Sequence, residues 1–251
     1  MSPIVRIDDK RWAVKVSGDI IDLAEAADLF GHGHQTIRDD VLPTKEEVAL
    51  QADEFERLEH ATEVHDAAER ILVALNAVLY LEDPARRPLT ISSVHQRGSD
   101  GNWSIAIFPK SASFRLRGGK IHGHTGSSVA PTPQSTWVDM GLTEEAIGGA
   151  LSYLRGTPDW IALYQAYEAM DKDVSELESR IGPILGWPSR QQIRAFTRSA
   201  QLHRHSKSWC EKHRITSSGA MKFDDAATLV RSMAKIWIEW RRENSFTERS
   251  F

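Results

Sequence analysis

A single cysteine, Cys210, stands in the whole chain, which excludes an internal disulfide and leaves too few thiolates for a zinc cluster. Long apolar runs are missing as well. No window approaches the run of about 18 apolar residues that a membrane span needs, and Met1-Ser-Pro-Ile-Val-Arg lacks the apolar core of a secretory signal. A cytoplasmic chain that does not meet a membrane is the expectation. The sequence has no Gly-rich phosphate loop, no His-Glu-x-x-His, no Gly-x-Ser-x-Gly and no Cys-x-x-Cys. Familiar nucleotide-binding, metalloprotease and hydrolase classes therefore find no support in it. Prolines are few, 10 in 251 residues, while 41% hydrophobic and 26% charged residues are the balance of a chain that buries a core. The length fits one large domain or two modest ones, and the change of periodicity along the chain favours two.

The first half reads as mixed α and β. Residues 4–7 and 12–16 alternate apolar with polar around Asp8-Asp9-Lys10, a hairpin pattern, and a short helix is expected at 19–30. Two glycines and a polar run break the pattern at 31–43, and 48–52 suits a further short strand. Val64, Ala68, Ile71, Leu75 and Val78 recur at spacings of three and four, which predicts a helix over 62–81 with Thr62 as its N-cap. Residues 89–96 and 103–108 flank Gly98-Ser-Asp-Gly-Asn102 as a second hairpin, with 113–117 extending the sheet.

Residues 118–136 are rich in Gly, Ser, Thr and Pro and mark the boundary. Beyond it the periodicity is helical throughout. A helix is expected at 143–155, and Thr157-Pro158-Asp159 opens a long one whose seam is Trp160, Leu163, Tyr167, Met170, Val174, Leu177 and Ile181. Gly186-Trp-Pro188 ends it, and Ser189 caps a helix whose Ile193, Phe196 and Ala200 face inward. A loop at 212–221 leads to a last helix, 224–242, with Ala226, Val230, Met233, Trp237 and Trp240 on its seam. The predicted fold class is α+β. A small antiparallel sheet with a packed helix fills residues 1–120, a linker follows at 121–139, and an all-α bundle of about four helices occupies 140–251.

Charge is unevenly divided. Residues 190–251 hold 13 Lys and Arg against 6 Asp and Glu, while residues 1–189 hold 18 against 29. The C-terminal part therefore either meets an anionic partner or attracts the acidic body of its own chain. Within it, Arg198-Ser-Ala-Gln-Leu-His203-Arg-His205 places an arginine and two histidines inside two helical turns, and no Asp or Glu lies between Ser189 and Cys210. Histidine supplies a general acid or base, and arginine stabilises a charged phosphorane. Together they suit metal-free cleavage at a 2'-hydroxyl. At about 100° per residue, Arg198 and His205 share a helix face, while His203 lies roughly 140° round.

An Arg followed after four to six residues by a His, on the penultimate helix of a small bundle, resembles the HEPN superfamily. Arg198 with His203 meets the four-residue spacing and Arg198 with His205 the six-residue one, while Ser199 stands where the family commonly has Asn. The likeness covers residues 140–245. Through Gly186-Trp-Pro, Phe196-Thr-Arg-Ser-Ala and His203-Arg-His-Ser, this part is also similar to a family of uncharacterised bacterial and phage-borne proteins. Active HEPN members are metal-independent endoribonucleases of toxin, CRISPR and phage-defence systems that work as dimers. The resemblance thus implies RNA as partner, a homodimer through the bundle, and no cofactor. Arg198 would stabilise the transition state, His205 or His203 would act as acid or base, and Arg194, Arg204 and Lys207 would hold the RNA backbone. The rival reading is a non-catalytic interaction protein that dimerises through its apolar seams and keeps the Arg/His motif as a vestige. Convergence of Arg198 with a histidine in an open groove separates the two. Two triplets, His32-Gly-His34 and His122-Gly-His124, have metal-ligand spacing, but they sit on glycine-rich loops without an assigned carboxylate, and no metal is expected there.

Overall fold

Residues 12–17, buried in succession at Trp12, Ala13 and Val14 and again at Val16, make the central strand of an antiparallel sheet. The computed structural model describes residues 10–31, 34–38, 41–42, 47–108, 132–181 and 183–248, with backbone only at 178–181 and 245–248. It is an α+β protein, as the sequence pattern predicts. The strands are β1 (Trp12–Ser17), β2 (Gln35–Arg38), β3 (Ala49–Ala52), β4 (Thr90–Arg97) and β5 (Trp103–Ile107), in the spatial order β2-β3-β1-β4-β5. Pairing of Val14 with both Leu50 and Val94 puts those three on one face, and the same register puts Ala13, Lys15, Ser93 and His95 on the other. The β4–β5 hairpin is the one expected around Gly98–Asn102. The partners of β1, however, are β3 and β4, and residues 4–7 and 113–117 lie outside the described part.

The apolar sheet face carries Trp12, Val14, Val16, Leu50 and Val94, all nearly inaccessible, and it is covered by α2 (Ala61–Glu82). The predicted cap of α2 shifts. Thr62 lies inside the helix, and Glu63 reaches back to accept from the backbone N–H groups of Glu59 at 3.1 Å and His60 at 3.0 Å. This holds the Glu63 carboxyl below the usual carboxylate range. The short connection from α2 to β4 is clamped by Asn76, whose Nδ2 donates to the Leu89 carbonyl at 2.9 Å while its Oδ1 accepts from the Leu89 N–H at 2.7 Å.

Helix α1 (Ile20–Phe30), capped by Asp19, packs on β2 and on α3 (Pro133–Thr143). Helix α3 corrects the sequence reading, which placed the linker through residue 139. Thr132 accepts from the Ser135 N–H and Pro133 occupies the first turn, so a run that looked linker-like begins a helix. Helix α4 (Glu145–Leu154) follows after a break at Glu144, where one helix was expected over 143–155. The two pack closely at glycines. A Cβ on Gly148 would fall inside the van der Waals contact of the Gly141 carbonyl oxygen, whereas one on Gly149 would meet nothing.

The remaining helices are α5 (Trp160–Ile181), α6 (Arg190–Arg204), α7 (Lys207–Lys212) and α8 (Phe223–Glu248). Asp159 caps α5 by accepting from the Ala162 N–H at 2.8 Å, and Ser189 and Gln192 form the capping box that opens α6. The α5 seam residues Leu163, Tyr167, Met170, Val174 and Leu177 are buried against α4, α6 and α8, together with Phe196, Ala200, Val230, Met233 and Trp237. Those seams are filled within one chain and are not available to a second copy. One contiguous apolar core runs from Trp12 through α2 to Ile238, so the sheet and the bundle are packed together.

Adjacent glycines on α4 give a test of this packing. Gly149→Ala is expected to stabilise the protein by about 0.5–1 kcal/mol through its helix propensity. Gly148→Ala is expected to destabilise it by about 1–3 kcal/mol by forcing α3 and α4 apart. Urea denaturation of the two variants measures both.

Candidate functional site

The stretch that drew attention in the sequence spans the end of α6 and the start of α7. Helix α6 stops at Arg204 because His205 takes an extended backbone (φ −115°, ψ 156°), and Ser206 then caps α7 by accepting from the Trp209 N–H. The face shared by Arg198 and His205, derived on an unbroken helix, therefore does not form. Each residue has its own neighbour. Arg198 is exposed and its Nη1 donates to the Ser218 carbonyl at 3.3 Å. His203 lies flat on Trp160, centroids 4.7 Å apart and planes 7° from parallel, and Arg204 stacks over Tyr164 at 4.1 Å. His205 stacks on Trp209 at 3.7 Å, and His213 covers the other face of that indole at 4.1 Å. Among the described residues, Arg198 shares no hydrogen bond with either histidine.

These contacts have local causes. Trp160 and Tyr164 are one turn apart on α5, and His203 and Arg204 are consecutive on the last turn of α6, so two ring contacts dock that turn on α5. An Arg over a Tyr ring at an exposed site contributes about 0.5–1 kcal/mol. The Ser199 hydroxyl, 1% exposed, donates to the Ala195 carbonyl at 2.8 Å and accepts from the Met221 N–H at 2.6 Å. Arg198 and Ser199 thus hold residues 218–221, which lead into α8, against α6. Ser199 is part of the loop's anchorage.

What the segment offers to solvent is charge and rings. Arg190, Arg194, Arg198, Arg204, Lys207, Lys212 and Arg214 are all exposed, and among the described residues only Lys207 has a carboxylate partner, Glu211 at 3.9 Å. Arg190, Arg194 and Arg198 follow one another at intervals of four along α6, a ridge of guanidinium groups. His205, Trp209 and His213 continue it over α7 as a three-ring stack whose two imidazoles are exposed.

A second feature was not foreseen. On the sheet face away from α2, a cleft of about 840 Å³ is lined by Lys15, Glu47, Ser93, His95, Trp103 and Ile105, among others. His95 is 4% exposed. Its Nε2 shares a 2.8 Å hydrogen bond with the Ser93 hydroxyl, and its Nδ1 has no partner. Burial pushes its pKa down, against a smaller opposing pull from Glu47, so the imidazole is neutral at pH 7. The signal in the sequence is Ser93-Val-His95 on a strand, polar at alternate positions of a hairpin whose other face is core. Of the His-Gly-His triplets, His32, His122 and His124 lie outside the described residues. His34 bonds Asp53 at 3.0 Å, which raises its pKa. Among the described residues no three His, Cys, Asp or Glu side chains gather as a metal set, and no helix is long and apolar enough to cross a membrane. No known family, curated protein or solved structure matches this chain.

The roles of Arg198 and Ser199 can be told apart by stability. Ser199→Ala strands the Met221 N–H and is expected to cost about 0.5–1.5 kcal/mol. Arg198→Ala, at an exposed position, is expected to cost less than about 0.5 kcal/mol. Thermal and urea unfolding of the two variants checks the order.

Proposed function

We propose that the α6–α7 surface binds single-stranded RNA. The observation that carries this reading is the uninterrupted row of exposed cations from Arg190 to Arg214 with one acid among them, Glu211, and a ring stack in its midst. Cations spaced along a surface track phosphates by releasing counterions, and exposed rings take bases by stacking at about 1–3 kcal/mol per base. In this reading Arg190, Arg194, Arg198, Lys207 and Lys212 contact the backbone, and the outer faces of His205 and His213 receive bases. Trp209 stiffens the platform from between them.

Cleavage of the HEPN kind asks for more: Arg198 and a histidine at one phosphate. With Arg198 turned to the Ser218 carbonyl and His203 spent on Trp160, one chain does not assemble that pair, so the reading put forward is binding rather than catalysis. The homodimer implied by the resemblance would have to form on a surface other than the buried seams.

Fluorescence anisotropy with a labelled single-stranded RNA tests this. Affinity should fall with salt at a log–log slope of about −3.5 if those five cations engage, from roughly −0.7 per phosphate contact. Arg190→Ala with Arg194→Ala should flatten the slope by about 1.4. The labelled strand should leave the titration intact. Salt-independent binding, or a marked preference for duplex DNA, would reject the reading, and shortened strands in EDTA that persist only while Arg198 and a histidine are both present would restore the nuclease.

A further inference from the structure

The cleft on the open face of the sheet is built from side chains that the C-terminal surface does not use. Its apolar lining includes Val41 and Leu42, Leu42 packing with the fully buried Ala13 and Ala49, while Ile105 and Ile107 form a side wall 59% and 75% exposed. Isoleucines this exposed on adjacent outward positions of one strand gain from a flat apolar cover. Trp103 stands at one end, its ring edge-on to His95 at 6.3 Å and 73°. The ion pair of Lys15 and Glu47 stands at the other.

Three properties define what fits. The cleft's volume lies within the range of small-molecule sites, about 300–1,000 Å³. Its charges cancel, since Lys15 is matched by Glu47, so an ionic ligand would leave one of the two facing a like charge. Its accessible polar points are mixed: the Lys15 ammonium with donors left over and the Glu47 carboxylate with an acceptor left over. Neutral histidine offers one donor and one acceptor; Ser93 holds Nε2, and Nδ1 is buried without a partner. His95 and Glu47 alone are too few to hold a metal.

We propose that this cleft binds an uncharged planar heterocycle of the nucleobase kind, its face against Trp103 and Ile105 beside His95 and its donor–acceptor edge on the Lys15–Glu47 pair. The ligand is either a free nucleoside or one unstacked base of a strand; both present the same ring and the same edge. The assignment is independent of the α6–α7 reading, because no residue is shared between the two surfaces.

The test uses the full chain with adenosine, guanosine, cytidine and uridine as free probes, and an eight-nucleotide single-stranded RNA of mixed sequence as the strand-borne probe. Calorimetry reports binding, and the ¹⁵N resonances of the histidine side chains report on His95. At least one nucleoside or the octamer is expected to move the His95 Nδ1 resonance. His95→Phe and Trp103→Ala should each weaken that binding at least tenfold, and Arg190→Ala with Arg194→Ala should leave nucleoside binding unchanged. A shift with the nucleoside assigns the free ligand. A shift with the octamer alone assigns a base within a strand. His95→Gln, which keeps a polar group on the strand, serves should the phenylalanine variant fail to fold, and it too should weaken binding. The proposal is overturned if none of the five probes moves the His95 resonance, or if binding survives both cleft substitutions at full strength. Loss of octamer binding in the Arg190/Arg194 variant with the His95 shift retained would concern the α6–α7 surface alone.

Discussion

Burial of α2 on nearly all sides from Ile71 to Leu81 is the constraint on which the rest of the structure depends. Val64, Ala68, Ile71, Leu75 and Val78 form the stripe that any surface helix would show, but Ala67, Leu72, Ala74, Ala77, Leu79 and Leu81 are inaccessible too. A helical segment apolar around its circumference cannot be stable at the edge of a domain. It needs two covers, and the chain supplies them as the sheet on one side and α3, α4 and α8 on the other. Its end is held with equal care. The last carbonyls of α2 would be orphaned in an apolar setting, and Arg231 of α8 donates to the Leu81 and Glu82 carbonyls at 3.1 Å and 3.5 Å while Lys235 pairs with the Glu82 carboxylate at 3.2 Å.

That arrangement resolves the charge asymmetry into two different uses. The cations of α8 turn inward: Arg231 and Lys235 serve α2, and Arg241 joins Glu144 and Asp173, which also accepts from the Trp237 indole at 2.8 Å. Burial raises the Asp173 pKa, and the Trp237 indole and Arg241 oppose that rise in part. The cations of α6 and α7 turn outward and meet one acid. Self-attraction, one of the two sequence explanations of the basic tail, therefore holds for α8, while an anionic partner is what we propose for α6 and α7.

The sequence was most legible where a single periodicity governs a long element. The seams of α5 and α8, the Ser189 cap and the β4–β5 hairpin are each set by local spacing that packing then rewards. It was least legible where tertiary contact overrides composition. Helix α3 starts in a Pro- and Ser-containing run and is held by Trp137, Val138 and Met140 against the core, a burial that no local rule anticipates. The Arg198–His205 alignment failed for one residue's ψ, because Ser206 is a better cap for a new helix than a continuation of the old one. Strand β4 looked like half a hairpin; that its second face would enclose a histidine depended on which strands flank it, and register is not written in any one strand.

Nucleic-acid contact on the α6–α7 surface is the central proposal, and ultraviolet crosslinking of a bound single-stranded RNA followed by peptide mass spectrometry tests it most directly. The RNA-bearing peptides are predicted to come from residues 190–214, with His205, Trp209 and His213 among the linked positions. Crosslinks absent from that segment at a protein concentration that saturates binding would contradict the account.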